Sequence, residues 1–214
     1  MINKISPLPD FLVDRYKAWK SNKYINNAEK FKRLAIKGQT PSSLIISCCD
    51  SRVQATSIFG SDDGEFFIHR NISNLVPKYS PNSKHLATLA AIEYATKVLK
   101  VRHVIILGHT GCGGIKEAYN IYEKKISSDL VFVNEWVKII LPALENISKN
   151  DSPEIQVERL GEESIKNSLN NLMSFPNIKQ DVENDKLSIH CLIHDIETGN
   201  LKYLNPNTKQ FENI

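Results

Sequence analysis

Val101-Arg102-His103-Val104-Ile105-Ile106-Leu107-Gly108-His109-Thr110-Gly111-Cys112-Gly113-Gly114 decides how this chain folds. Its first seven residues, apolar apart from Arg102 and His103, have the length and β-branched content of a buried strand. The following residues hold a histidine and a cysteine among four glycines. Upstream, Leu44-Ile45-Ile46-Ser47-Cys48 repeats the pattern, an apolar run ending in Cys48-Cys49-Asp50-Ser51-Arg52. A third run, Glu65–Arg70, follows the turn signal Ser61-Asp62-Asp63-Gly64. Helical spacing recurs over 83–99, and helices are also expected around 113–125, 129–148 and 162–173, with Pro142 kinking or ending the second of these. Continuous apolar strands separated by helices specify an α/β fold, a mainly parallel sheet flanked by helices on both faces.

The flanks complete the architecture. From Asp10 to Lys37, Leu12, Val13, Tyr16, Trp19, Phe31, Leu34 and Ala35 recur at helical spacing, with a break expected near Asn26–Asn27 and an end at Gly38. Residues 1–38 therefore read as an N-terminal helical arm, and 39–214 as the α/β core of a single domain. At the other end, Leu187–Ile196, the turn Glu197-Thr198-Gly199-Asn200 and Leu201–Leu204 read as a C-terminal β-hairpin.

Composition narrows the function. The chain has 214 residues and a formal net charge of +3, with Lys and Arg dispersed among acids. Nucleic-acid binding needs clustered positive charge, so it is not expected. No run approaches the roughly 18 apolar residues of a membrane span. Pro7, Pro9 and early acids stand where a signal peptide would carry its apolar run. A cytoplasmic protein with no membrane partner is the expectation. Four cysteines are too few for a disulfide scaffold at this length.

Both chemistry-bearing clusters stand where an apolar strand runs out, and ligands of open parallel sheets bind at the carboxyl ends of strands. The first offers a thiolate; the second offers an imidazole and a thiolate. Three such donors suit zinc and leave a fourth position for water, the arrangement of a catalytic centre. The glycine-rich loop lacks the Gly-Lys-Ser/Thr of a phosphate-binding loop.

The segments SCCDSRV, EFFIHRNISNLVP, AAIEYA, LKVRHVIILGHTGCGGIK and HDIETGNLKYLNP together resemble the β-class carbonic anhydrases. The resemblance implies one zinc per chain and reversible hydration of carbon dioxide to bicarbonate by a zinc-bound hydroxide, in a homodimer or homotetramer whose N-terminal arm wraps the partner. Cys48, His109 and Cys112 match the metal ligands. Asp50 matches the carboxylate that orients the nucleophile, and Arg52 the guanidinium that pairs with it. Gln39 matches a bicarbonate-binding amide. Phe67, Ile72 and Tyr94 match an apolar wall for carbon dioxide, and Gly113 a backbone anion contact. Relatives with a bicarbonate-controlled switch carry Trp and Gly where this chain has Ile45 and Ser47, so an open site with Asp50 off the metal is expected, although Arg70 is retained.

Cys49 reads as a packed thiol, because successive strand side chains face opposite ways. The same alternation splits His190 and His194 from Cys191 and argues against a second metal site there. His69 reads as structural. Two other functions fit the same residues: hydrolysis of carbon disulfide or carbonyl sulfide, and a non-catalytic zinc-stapled binding protein.

Overall fold

The computed structural model describes residues 5–126 and 129–214. The first four residues of the expected arm lie outside them. Two compact units result, one reaching Gln39 and the other spanning Thr40–Ile214.

The first unit is helical. α1 (Asp10–Trp19) continues through a π-helical turn at Lys20–Tyr24 to α2 (Ala28–Lys37), with the interruption at Asn27. Neither α1 nor α2 contains a buried residue. Phe11, Leu12, Tyr16 and Trp19 are all exposed, while Trp19, Tyr24 and Phe31 pack ring against ring.

The second unit is built on a six-stranded sheet among the described residues, in the order β2-β1-β3-β4-β5-β6. β1 (Ser43–Cys48), β2 (Phe66–Asn71), β3 (His103–His109) and β4 (Ser188–His194) are parallel. β5 (Leu201–Leu204) returns antiparallel along β4, as the hairpin turn requires, and β6 (Phe211–Asn213) adds an edge strand that was not expected. Period-two alternation explains the burial. Leu44, Ile46, Val104, Ile106, Cys191 and Ile193 enter one core, and Ile45, Leu107 and Leu192 enter the other with Val53 and Ala55. Each fully buried Leu or Ile here is worth roughly 1.5–3 kcal/mol. The main chain leaves β1 toward β2 on one side and leaves β3 toward β4 on the other. Adjacent β1 and β3 therefore form a topological switch point, where the carboxyl ends of a sheet open into a crevice.

Helices depart from expectation where side-chain pattern is a poor guide. β3 runs two residues past its apolar stretch, so His109 is its last residue. The 83–99 helix is α4 (Leu86–Glu93) followed by a π-helical turn at Tyr94–Val98. The 129–148 segment is α6 (Val131–Val137), a 3-10 turn, and α7 (Leu141–Leu144), with Pro142 in the first turn of α7. α5 (Gly113–Tyr122) lies where expected. α8 begins at Pro153, nine residues before the expected start, and runs to Leu172. Ser152 caps it by accepting from the Ile155 N–H, and Pro153 occupies its first turn. α3 (Ala55–Ile58) and α9 (Pro176–Glu183) had no clear sequence signal.

Candidate metal centre

β1 delivers Cys48 as its last residue and β3 delivers His109; Cys112 follows three residues later at the start of α5. Gly111 takes φ +65°, a left-handed conformation that turns the loop back and brings Cys112 toward Cys48. Gly114 lets α5 approach the turn after β2: a Cβ there would lie 2.2 Å from the Ser73 hydroxyl. The outcome is a cluster in which one donor atom each from Cys48, His109 and Cys112 lie within 4.8 Å of one another, all three residues buried. Among the described residues it is the sole grouping of three such donors. The two sulfurs are 3.9 Å apart.

The histidine is oriented for a ligand. Its Nδ1 lies 2.9 Å from the carbonyl oxygen of Thr110, which can only accept, so Nδ1 carries the proton. Nε2 then presents a lone pair inward, buried and without a hydrogen-bond partner. An orphaned buried nitrogen is costly, and a metal among two thiols supplies the missing partner. The thiols are equally prepared. A hydrogen bond with Cys112, reinforced by burial, pushes the Cys48 thiol up to about 12. The same bond, aided by the Ser73 hydroxyl and the N–H groups of Gly114 and Ile115, holds Cys112 down to about 6. A cation bound between the two sulfurs would take the place of their shared hydrogen bond.

Asp50 stands beside the cluster, its Oδ2 4.0 Å from His109 Nε2. Arg52 grips it through three bonds: Nε to Oδ1 at 2.9 Å, Nη2 to Oδ2 at 2.7 Å, and its own N–H to Oδ1 at 3.0 Å. These bonds hold the carboxyl well below the usual carboxylate range. The same guanidinium donates to the Gly111 carbonyl at 3.2 Å, tying the acid to the metal loop.

The remaining candidates are placed less closely. Ile72 lies in the 3-10 turn after β2, its Cγ2 2.6 Å from where a Gly114 Cβ would sit. Phe67 and Tyr94 pair with ring centroids 5.8 Å apart. A cavity of about 730 Å³ opens beside the cluster, lined among others by Arg52, His109, Gly111, Glu158, Asp195 and Lys202. Phe67, Ile72 and Tyr94 do not line it. Gly113 is exposed at the first position of α5, and Gln39 is exposed at the end of the first unit. Cys49 lies outside the donor cluster as expected, but it is exposed rather than packed, because β1 ends at Cys48 and strand alternation no longer applies to it. His69 bonds to buried Thr88 at 3.0 Å, and burial lowers its pKa.

Sequence reasoning missed three supports. Arg70 donates to the carbonyls of Cys48, Asp50 and Val53, caging the turn that carries the acid. Ser73, wholly buried at φ 63°, brings its hydroxyl 3.5 Å from Cys112 Sγ. Thr110 bonds to Asp195 across the sheet. A serine followed by an asparagine after a strand is a weak turn signal, and long-range pairs leave none.

An N/S donor trio at the switch point of a parallel sheet, flanked by a clamped carboxylate, defines a zinc-dependent α/β enzyme. Comparison with known proteins identifies which kind. The carbonic anhydrase family pattern matches residues 43–201. The chain is 37% identical over 194 residues to β-carbonic anhydrase 3 of Arabidopsis thaliana, covering 87% of this chain and 74% of that protein. Its fold superposes on the β-carbonic anhydrase CcaA with a TM-score of 0.88 at 26% identity, over 96% of this chain and 91% of the other. A structure from a study of two tetrameric β-carbonic anhydrases of the filamentous ascomycete Sordaria macrospora gives 0.75 at 29% identity, over 92% and 96%. The chain belongs to the β-carbonic anhydrase family, and its cofactor is zinc. No helix among the described residues is long and apolar enough to cross a membrane.

Proposed function

We propose that the chain hydrates carbon dioxide reversibly at a zinc ion held by Cys48, His109 and Cys112. The observation that carries this reading is the donor trio beside an acid locked by Arg52. Zinc supplies the Lewis acidity that lets a water act as nucleophile near neutral pH. Asp50 stays ionised under the Arg52 guanidinium and accepts a hydrogen bond from that water, directing its lone pair at the carbon. Arg52 also restrains Asp50 from moving onto the metal. That grip, with the Arg70 donors spent on three carbonyls, supports an open site rather than one closed by its own carboxylate. The family resemblance alone, and not the lining of the cavity beside the cluster, supports Ile72, Phe67 and Tyr94 as the apolar wall and Gln39 and Gly113 as the bicarbonate contacts. The proton leaves to solvent.

The chain acts as a homodimer or a pair of dimers. The tetrameric relatives support this, as does the exposed aromatic face of α1, which has no core of its own to enter. Thiolate ligands need a reducing compartment, and the cytoplasm provides one. Stopped-flow hydration of carbon dioxide, with zinc measured on the same sample, tests the proposal. One zinc per chain with rapid turnover is expected. A zinc-loaded protein that leaves the hydration rate at background would overturn it.

A further inference from the structure

The loop that carries His109 is tied to the C-terminal hairpin by a side-chain contact spanning 85 residues. Thr110 Oγ1 donates to Asp195 Oδ1 at 3.1 Å and accepts from the Ile196 N–H at 3.1 Å. The Thr110 N–H donates to the His194 carbonyl at 3.0 Å. Thr110 is thus held by backbone and side chain together, and its remaining polar atom, the carbonyl oxygen, receives the His109 Nδ1 proton at 2.9 Å. We propose that Asp195, acting through Thr110, is a positioning residue that sets the rotation of the His109 ring for the metal. The proposal rests on the reading of His109 as a zinc ligand.

The arrangement is directional at every step. The hydroxyl has one hydrogen to donate, and it points to the carboxylate; its lone pair then faces the Ile196 N–H. Asp195 is itself fixed, because Oδ1 accepts from the Glu197 N–H at 3.1 Å and Oδ2 accepts from the Thr198 hydroxyl at 2.5 Å. Backbone bonds from Asp195 N–H to Asn200 and from Gly199 N–H to Asp195, both 2.8 Å, close the same turn. The rigid hairpin turn therefore serves as the fixed point. What it steadies needs steadying: the next residue, Gly111, is a glycine in a left-handed conformation and restrains the loop little by itself. Groups that orient a ligating imidazole through its second nitrogen typically carry 10- to 100-fold in metal affinity.

Zinc affinity of the intact protein, measured by competition with a chromophoric chelator, separates this role from simple hairpin stability. Thr110→Val keeps the volume and removes the hydroxyl; Asp195→Ala removes the acceptor. Each should weaken zinc binding about 10-fold or more and shift the visible absorption bands of the cobalt-substituted protein. Thr110→Ser and Asp195→Asn, which retain a donor and an acceptor, should restore affinity to within about threefold of the unaltered protein, well inside that range. Thr208→Val removes a bond to Glu212 in the neighbouring β5–β6 turn and touches neither Asp195 nor Thr110, so it should lower thermal stability with unchanged affinity and cobalt spectrum. Unaltered zinc affinity and cobalt spectrum in both Thr110→Val and Asp195→Ala would overturn the proposal. Should Thr110→Val fail to fold, the contrast between Asp195→Ala and Asp195→Asn decides the matter. If Cys48→Ser keeps full zinc affinity, the ligand assignment itself fails and the clamp falls with it.

Discussion

Strand β3 carries a histidine at each end, and the two ends behave in opposite ways. At the amino end, His103 Nδ1 lies 3.2 Å from His190 Nε2, with the ring centroids 5.3 Å apart. Partial burial, with help from neighbouring His103, lowers the His190 pKa, which favours the neutral ring and lets one imidazole satisfy the other. At the carboxyl end, His109 donates its Nδ1–H to the Thr110 carbonyl, and Nε2 remains buried without a partner beside two thiols. Two histidines on one strand thus differ in whether their hydrogen-bonding needs are already met. The carboxyl end also has what the amino end lacks: the glycine turn, the first N–H groups of α5, and a neighbouring strand that ends in cysteine. A partner-satisfied pair is complete; an orphaned nitrogen among thiols calls for a cation.

The sharpest way to break this comparison is to remove one thiol. Cys48→Ser should leave the protein with little zinc by elemental analysis and cut hydration by at least about 10³-fold, since the metal is worth several kcal/mol of transition-state stabilisation. Retention of zinc and rate would show that the donor trio is not the centre. Asp50→Ala tests a different link. It should keep zinc, because Asp50 is not in the donor trio, yet lose about 10²-fold in kcat, the usual worth of a positioned proton acceptor. An undiminished kcat would remove Asp50 from the mechanism.

These residues were legible because each adjoins an apolar run in the sequence. Cys48 and His109 are the last residues of buried strands, and Asp50, Arg52 and Cys112 follow within a few positions. Cys49 was rightly set apart from the ligand beside it, but for the wrong reason: it lies beyond the end of β1 and is exposed, not packed. The hairpin was legible from Glu197-Thr198-Gly199-Asn200. Other features depend on contacts that no local pattern encodes. The Thr110–Asp195 bond joins residues far apart in sequence, and the Arg70 cage closes on carbonyls, which every residue has. The first turns of α8 were hidden by their polarity, although Ser152-Pro153-Glu154 is a start signal in hindsight. The short 3-10 turn at Ser73 depends on a positive φ in a non-glycine residue, which packing rather than composition imposes.

A smaller effect concerns the acid beside the centre. Arg52 holds the Asp50 carboxyl below its ordinary value, so the folded state binds that proton more weakly than the unfolded chain. Such a group contributes stability that is fully present above the unfolded pKa, near 3.9, and is lost as pH falls below it. Arg52→Ala should therefore flatten the loss of stability below about pH 4, as read by urea denaturation of the zinc-stripped protein at pH 3.5 and pH 6. It should also lower kcat about 10-fold with zinc bound, because the freed carboxylate is no longer held away from the metal. An unchanged acid limb would mean that the ion pair does not control Asp50.

The smallest expected effect comes from the other end of β3. His190→Ala removes one hydrogen bond between imidazoles at an exposed position, worth about 0.5–1 kcal/mol. It leaves His103 accessible to water, so no buried group is orphaned. Zinc content and kcat should match those of the unaltered protein, and only the urea midpoint should move, slightly downward. The comparison is strict here, since His190 sits four residues before His194, whose carbonyl anchors Thr110. A loss of zinc or a threefold fall in kcat in His190→Ala would mean that β4 transmits strain along its length to the metal loop. The two ends of the sheet would then be mechanically one site, and the contrast between a satisfied pair and an orphaned ligand would no longer explain why only the carboxyl end holds metal.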